Sequence, residues 1–126
     1  MMTSTSRLFD LTLPWPPSEL SPNQRQHWAQ LAKAKKSYRE QCWALAKHQG
    51  AHQITAERLE IGLEFVPPSR RKFDLDNLLA RMKAGLDGLA DVLGVDDSRW
   101  SIRIERSEDP VPPGFVLVTV TPLETH

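Results

Sequence analysis

Leucine and methionine recur at three- and four-residue spacings between residues 75 and 93, as Leu75, Leu78, Leu79, Met82, Leu86, Leu89 and Leu93. That period marks one face of an α-helix, and Gly94 supplies the stop. Immediately upstream, Arg58 to Val66 alternates Leu59, Ile61, Leu63 and Phe65 with Arg58, Glu60, Gly62 and Glu64. This is the two-residue period of a half-buried strand. A strand face and a helix stripe that adjoin in the chain both need an apolar partner, and each offers one to the other. The pair therefore predicts a sheet with helices packed against it.

The remaining segments extend that pattern. Leu8 to Leu13 alternates weakly and predicts a first strand, stopped by Pro14, Pro16 and Pro17, which lack ladder donors. A loop through Ser21, Pro22 and Asn23 leads to a helical pattern from about Gln26 to His48, with Gly50 as its stop. Its apolar stripe is Trp28, Leu31, Ala32, Tyr38, Cys42, Leu45 and Ala46, with Lys35, Lys36 and Arg39 breaking the edge. Trp100 to Arg106 and Phe115 to Val120 read as two further strands, joined through the Pro-rich turn Pro110–Gly114. The expected order is β-α-β-α-β-β in a single domain over residues 1–126. The fold class is α/β (α+β), a two-layer domain with one mixed sheet packed against helices. Trp15, Trp28 and Trp43 are assigned to the core or an interface, because buried aromatic area is the commoner use.

Composition narrows the function classes. With 126 residues, 40% of them hydrophobic and 25% charged, the chain is neither a disordered polar sequence nor a membrane protein. No stretch approaches the ~18 apolar residues of a spanning helix. The polar segment Met1–Phe9 lacks a leader's apolar region, so a cytoplasmic location is expected. The single cysteine, Cys42, excludes an intrachain disulfide and a cysteine zinc site and is expected to be buried. His27, His48, His52 and His126 share no ligand spacing. The net charge of zero hides an asymmetry: residues 1–72 carry 11 Lys/Arg against 6 Asp/Glu, a balance of +5, and residues 73–126 carry 5 against 10, a balance of −5. A basic half beside an acidic site suits a phosphate backbone, and segregation by chance is the plain alternative.

The chemistry concentrates between Arg70 and Asp97. Asp74 and Asp76 follow a strand and the basic triplet Arg70-Arg71-Lys72, so they fall at the entrance of the second helix. There two carboxylates can converge with support from the helix N-terminus. Asp96 and Asp97 follow the helix. Clustered carboxylate oxygens suit a hard divalent ion such as Mg²⁺, with Mn²⁺ as an alternative. The plain alternative is a helix N-cap at Asp74 or Asp76 and a solvated turn at Asp96-Asp97. Asp76, Ala80, Lys83 and Asp87 share a helix face. Lys83 lies about 10.5 Å beyond Asp76 along the axis, with a side chain that leans back towards the N-terminus and so towards a phosphate bound there. An ordinary Lys83–Asp87 surface pair is the commoner cause of that spacing. Arg81 points away from Asp76 and is expected on the surface.

Leu13-Pro14-Trp15-Pro16-Pro17-Ser18 followed by Asn23 resembles the N-terminal signature of the RusA-type Holliday-junction resolvases. Asp74-Leu75-Asp76-Asn77-Leu78 resembles their D-x-D-N-L motif, Lys83-Ala84-Gly85-Leu86-Asp87-Gly88-Leu89 the helix continuation, and Gly94-Val95-Asp96-Asp97 the closing acidic pair. The similarity runs in order from about Leu8 to Pro122.

The resemblance implies a homodimeric, Mg²⁺-dependent endonuclease, often phage- or prophage-encoded and nucleoid-associated, that resolves four-way DNA junctions by paired nicks. Asp74, Asp76 and Asp97 would be its catalytic, metal-binding carboxylates, with Asp96 an adjacent contributor. Lys83 would be the catalytic lysine. The family pattern has that lysine one helical turn after D-x-D, where this chain has Ala80; Lys83 lies on the same face and has a longer reach. Arg70, Arg71 and Lys72 would grip flanking phosphates, and Lys33, Lys35, Lys36 and Arg39 of the first helix would extend that track. A branched-DNA-binding protein that does not cleave is the alternative.

Overall fold

The computed structural model describes residues 7–22 and 27–123. Four strands form one mixed sheet in the order β1-β4-β2-β3: β1 (Phe9–Pro14), β2 (Arg58–Val66), β3 (Trp100–Arg106) and β4 (Phe115–Leu123). Strand β4 runs antiparallel to both β1 and β2, whereas β2 and β3 are parallel. The parallel pair is joined through helix α2 (Leu75–Leu93), as a parallel pair needs a crossover. Helix α1 (Trp28–His48) connects β1 to β2. This is the expected two-layer α/β arrangement. The loop residue Asn23, the expected helix start at Gln26, and His126 lie outside the described residues.

The limits of β2 and β3 coincide with those read from alternation. Strand β4 continues past Val120, because Thr121, Pro122 and Leu123 pair with Glu60, Leu59 and Arg58. Leu59, Ile61, Leu63 and Phe65 of β2 share the buried side with Val116, Val118 and Val120 of β4 and Leu11 and Leu13 of β1. Leu78, Met82, Leu89 and Leu93 of α2 close over that face, joined by Tyr38, Cys42 and Ala46 of α1. The opposite face of the sheet is polar and carries Glu60, Glu64, Arg103, Glu105, Thr119 and Thr121 around a shallow depression. Among the described residues no helix is long and apolar enough to cross a membrane.

Helix α1 departs from the expected stripe. Only Tyr38, Cys42 and Ala46 are buried, a single row at four-residue spacing. Trp28 is 76% exposed, Trp43 42%, and Leu45 lies at the surface. These side chains do not join the core because α1 rests on α2 through a narrow seam. A Cβ on Gly88 would come within 2.5 Å of the Arg39 carbonyl oxygen, and one on Gly85 within 2.7 Å of the Tyr38 ring. So close an approach leaves room for one row of α1 and turns the rest outwards. Trp15, by contrast, meets Phe65 and Phe73 edge to face at ring distances of 6.0 and 5.1 Å.

Both ends of the helices are fixed locally. His27 caps α1, its Nδ1 accepting from the Ala29 N–H at 3.2 Å. At the other end the Gln49 side chain accepts from Thr12 N–H at 2.7 Å and donates to Thr12 O at 2.8 Å, tying α1 to edge strand β1. Gly94 ends α2 in the left-handed region at φ 71°, as its position predicts, and its N–H donates to Ala90 O.

Two stability predictions follow from this packing. Replacing Gly88 with Ala raises helix propensity by up to about 1 kcal/mol, yet the seam cannot admit the methyl group. Gly88→Ala is therefore expected to lower the urea-unfolding free energy by about 1–3 kcal/mol; a more stable variant would show that the helices separate freely. Burial pushes the Cys42 thiol up to about 12. Its neutral form is thus retained in the fold while the unfolded thiol ionises near pH 8.5–9. Stability from this group is complete below that range and is lost as pH climbs towards 12. Unfolding at pH 8.5 and 10 should show the decline, with a shallower slope in Cys42→Ala.

Candidate acidic site and basic helix face

Helix α2 begins where the chain needs a cap. Asp74 is extended and its Oδ1 accepts from the Asp76 N–H at 3.1 Å, the N-cap geometry that satisfies one of the first orphan donors. One carboxylate oxygen is thereby engaged, and a carboxylate retains further acceptor positions. Asp76 occupies the first turn and is exposed beside it. The two acids therefore sit together at the positive end of the α2 dipole. Arg70, Arg71 and Lys72 are all exposed in the preceding loop, with the Arg71 guanidinium 5.8 Å from the Phe73 ring.

The second acidic pair lies at the other end of α2. Asp96 caps a short 3₁₀ turn (Asp97–Arg99), its Oδ2 accepting from Ser98 N–H at 3.0 Å. The Ser98 hydrogen bonds hold its carboxyl below the usual aspartate range. Asp97 Oδ2 stands 3.8 Å from Lys83 Nζ, and Asp87 Oδ1 stands 3.9 Å from the same ammonium. The structure thus brings Lys83 and Asp97 together and turns Lys83 towards that end of α2. Among the described residues no three Asp, Glu, His or Cys side chains gather in a way that could hold a metal ion. Asp74 and Asp76 form one pair, and Asp97 belongs to a separate patch with Lys83. The donor chemistry of the first pair still fits Mg²⁺, which is commonly held by one or two carboxylates together with substrate phosphates.

Arg81 overturns the expectation of a surface residue. It is only 7% exposed, and its Nη2 donates to Pro16 O at 2.6 Å and its Nε to Pro17 O at 3.3 Å. Its guanidinium lies 5.9 Å from the Trp15 ring. Burial lowers its pKa, but an arginine remains charged at neutral pH. Tyr38 adds a third tie, donating its O–H to Pro14 O at 2.7 Å. Ser21 Oγ donates to Asn77 Oδ1 at 3.0 Å. The Pro-rich segment is therefore strapped across the first half of α2, and the N-terminal signature and the D-x-D-N motif meet in space. The signal for Arg81 was its place on the buried arc with Leu78, Met82 and Gly85, next to prolyl carbonyls that had no strand to bond.

The exposed surface of α1 carries Lys33, Lys35, Lys36, Arg39 and Lys47 against one acid, Glu40. Lys33 and Lys36, named from the sequence, are both exposed there. Arg39 bridges to Asp91 of α2 at 2.5 Å. Between α1 and α2 runs a groove of about 520 Å³ with an apolar floor that includes Leu31, Ala80 and Ala84. Lys35, Lys36, Arg39 and Lys83 also line it. Ala80 and Lys83 thus share one groove wall, as their spacing predicts. What the sequence did not disclose is that Trp28 and Trp43 stand among these cations.

Removing the Arg81 donor leaves the Pro16 carbonyl short of a partner, whereas Pro17 O keeps the Leu20 N–H. Arg81→Met, which keeps most of the side-chain volume, is expected to cost about 2 kcal/mol of stability in urea unfolding. A change within about 0.5 kcal/mol would show that the strap holds without it.

No family model matches the chain. A protein of Xylella fastidiosa (strain Temecula1), described as an uncharacterized protein, is 37% identical over 123 residues, which cover 95% of this chain and 80% of that protein. At that identity and coverage, this chain belongs to the same family as the Xylella protein.

Proposed function

We propose that the chain is a metal-dependent endonuclease that resolves four-way DNA junctions by paired nicks and acts as a homodimer. The observation that carries this reading is the Asp74–Asp76 pair at the N-terminus of α2, set directly behind the exposed triplet Arg70-Arg71-Lys72. Carboxylates at a helix start serve capping alone in many proteins. Here they adjoin a basic loop and belong to an ordered series of motifs resembling the RusA-type resolvases. The Asn77–Ser21 hydrogen bond sets the segment that follows Ser18 against the D-x-D-N-L stretch.

In this reading Asp74 and Asp76 hold Mg²⁺ or Mn²⁺ against a substrate phosphate. The ion would supply polarisation of a phosphoryl oxygen and a bound water of lowered pKa. Arg70, Arg71 and Lys72 fix the flanking phosphates in register. Lys83 neutralises charge on the phosphoryl oxygens. Its two carboxylate contacts are long and exposed, so exchanging them for a phosphate costs little. Asp97 pairs with Lys83 in the absence of DNA, so Lys83 leaves that pair to reach a phosphate held at Asp74 and Asp76. A C₂ dimer would present two equal sites to the two symmetric strands of a junction. Because binding replaces condensed counterions, affinity should fall steeply with salt.

The second reading, a branched-DNA binder that does not cleave, is favoured by Ala80 at the family's lysine position. The test is a labelled synthetic four-way junction incubated with Mg²⁺, Mn²⁺ or chelator beside a linear duplex. Paired, metal-dependent nicks across the junction are expected. Asp76→Asn should retain junction binding and lose cleavage. Asp74→Asn keeps the cap, since Asn caps as well as Asp, so its unfolding free energy should not change. Its cleavage should fall by at least the roughly 10- to 100-fold that loss of an outer ligand partner costs. Tight junction binding without nicking in either metal would sink the nuclease reading and leave the binder.

A further inference from the structure

Helix α1 exposes two tryptophans that do no packing work in the core. Trp28, Ala32, Lys36, Arg39, Trp43 and Lys47 fall within an arc of about 100° along one flank of the helix, beside the buried row that ends at Ala46. The His27 ring stacks behind Trp28, with 5.6 Å between centroids and 28° between planes, which stiffens the indole against the helix start. Lys47 Nζ sits 4.4 Å from the Trp43 ring centroid and covers one side of it. Between the two indoles lie Lys36 and Arg39, and beside them Lys35 and Lys83 face the groove against α2. Aromatic platforms alternating with cations are what a flexible polyanion with unpaired bases requires.

We propose that this row of α1 is a track for an unpaired nucleic-acid strand, with Trp28 and Trp43 as base-stacking platforms and Lys36 and Lys47 as phosphate contacts, Arg39 being held by Asp91. The proposal rests on the nucleic-acid reading above and adds to it the kind of strand bound. Bases within a duplex are covered on both faces by their neighbours, so an indole can stack only on a base that is unpaired or terminal. The two tryptophans are 15 residues apart, about 22 Å along the helix axis. At about 3.4 Å per stacked nucleotide, that distance corresponds to roughly six nucleotides. A second copy of the chain is a poor occupant of this face. Five cations against one acid would meet their like across an isologous contact.

The experiment uses the full chain and a fluorescein-labelled 12-mer of oligodeoxythymidylate, with a 12-base-pair duplex as comparison, read by anisotropy at fixed low salt. Trp28→Ala and Trp43→Ala are each expected to weaken oligothymidylate binding by about five-fold or more. Their effect on the duplex should stay below about two-fold, and Trp43→Phe should retain most of the affinity. Both side chains are exposed, so thermal unfolding should be close to that of the parent. Absence of oligothymidylate binding, or unchanged affinity in both alanine variants, overturns the track. So does conversion of a dimer to a monomer in sedimentation with oligothymidylate affinity unchanged, which would give the face to a second copy. Failure of junction nicking with stacking intact counts against the nuclease alone, and loss of stacking with nicking intact counts against the track alone.

Discussion

A buried guanidinium holds the Pro-rich segment against the helix that follows β2. Arg81 crosses from α2 to the carbonyls of Pro16 and Pro17, and Tyr38 reaches Pro14 from α1. Prolines cannot donate to a sheet, so their segment leaves β1 with acceptors and few donors. Burying those acceptors unpaired would cost more than the fold can spare. A forked side chain with several fixed donors serves adjacent carbonyls better than a lysine would. The segment then lies over α2, brings Ser21 to Asn77, and sets Trp15 between Phe65 and Phe73. The Ser21 contact bears on the first turn of α2, where Asp76 stands, and Trp15 touches Phe73 just before Asp74.

How much of this was legible depended on which neighbours a segment has. Strands β2 and β3 were readable to the residue, because alternation on a sheet face is decided within the strand itself. Helix α2 was equally plain, since its wide stripe packs against that sheet. Helix α1 was legible as a helix but not as a surface. Its seven apolar residues suggested a broad stripe, whereas contact through Gly85 and Gly88 admits one row. The width of a seam is a property of the partner helix, so α1's own sequence could not report it. Arg81 failed for a related reason: its partners lie 64 and 65 residues away and are backbone atoms, which no side-chain pattern betrays.

The acidic site divides along the same line. A cap at Asp74 is a local event, and the sequence offered it as one of two readings. The return of Asp97 to Lys83 depends on the direction of the chain after Gly94, and the geometry answered that by pairing the two residues at 3.8 Å. The expectation of three gathered carboxylates did not carry over to the described residues of one chain. The remaining pair is still chemically sufficient for a hard cation that shares its coordination sphere with a phosphate.

The uncovered side of the sheet has a consequence of its own. Asp10, Glu60, Glu64 and Glu105 surround its depression with only Arg7 and Arg103 to balance them. The exposed surface of α1, in the other layer, carries five cations and one acid, with Arg39 bridged to Asp91. The rim of that depression and the exposed surface of α1 are therefore patches of opposite sign, one on each layer. In the field of a polyanion such a body feels a torque before it feels a net pull. It would arrive helix-first with its sheet turned to the solvent, and added salt would blunt that alignment along with the binding it prepares.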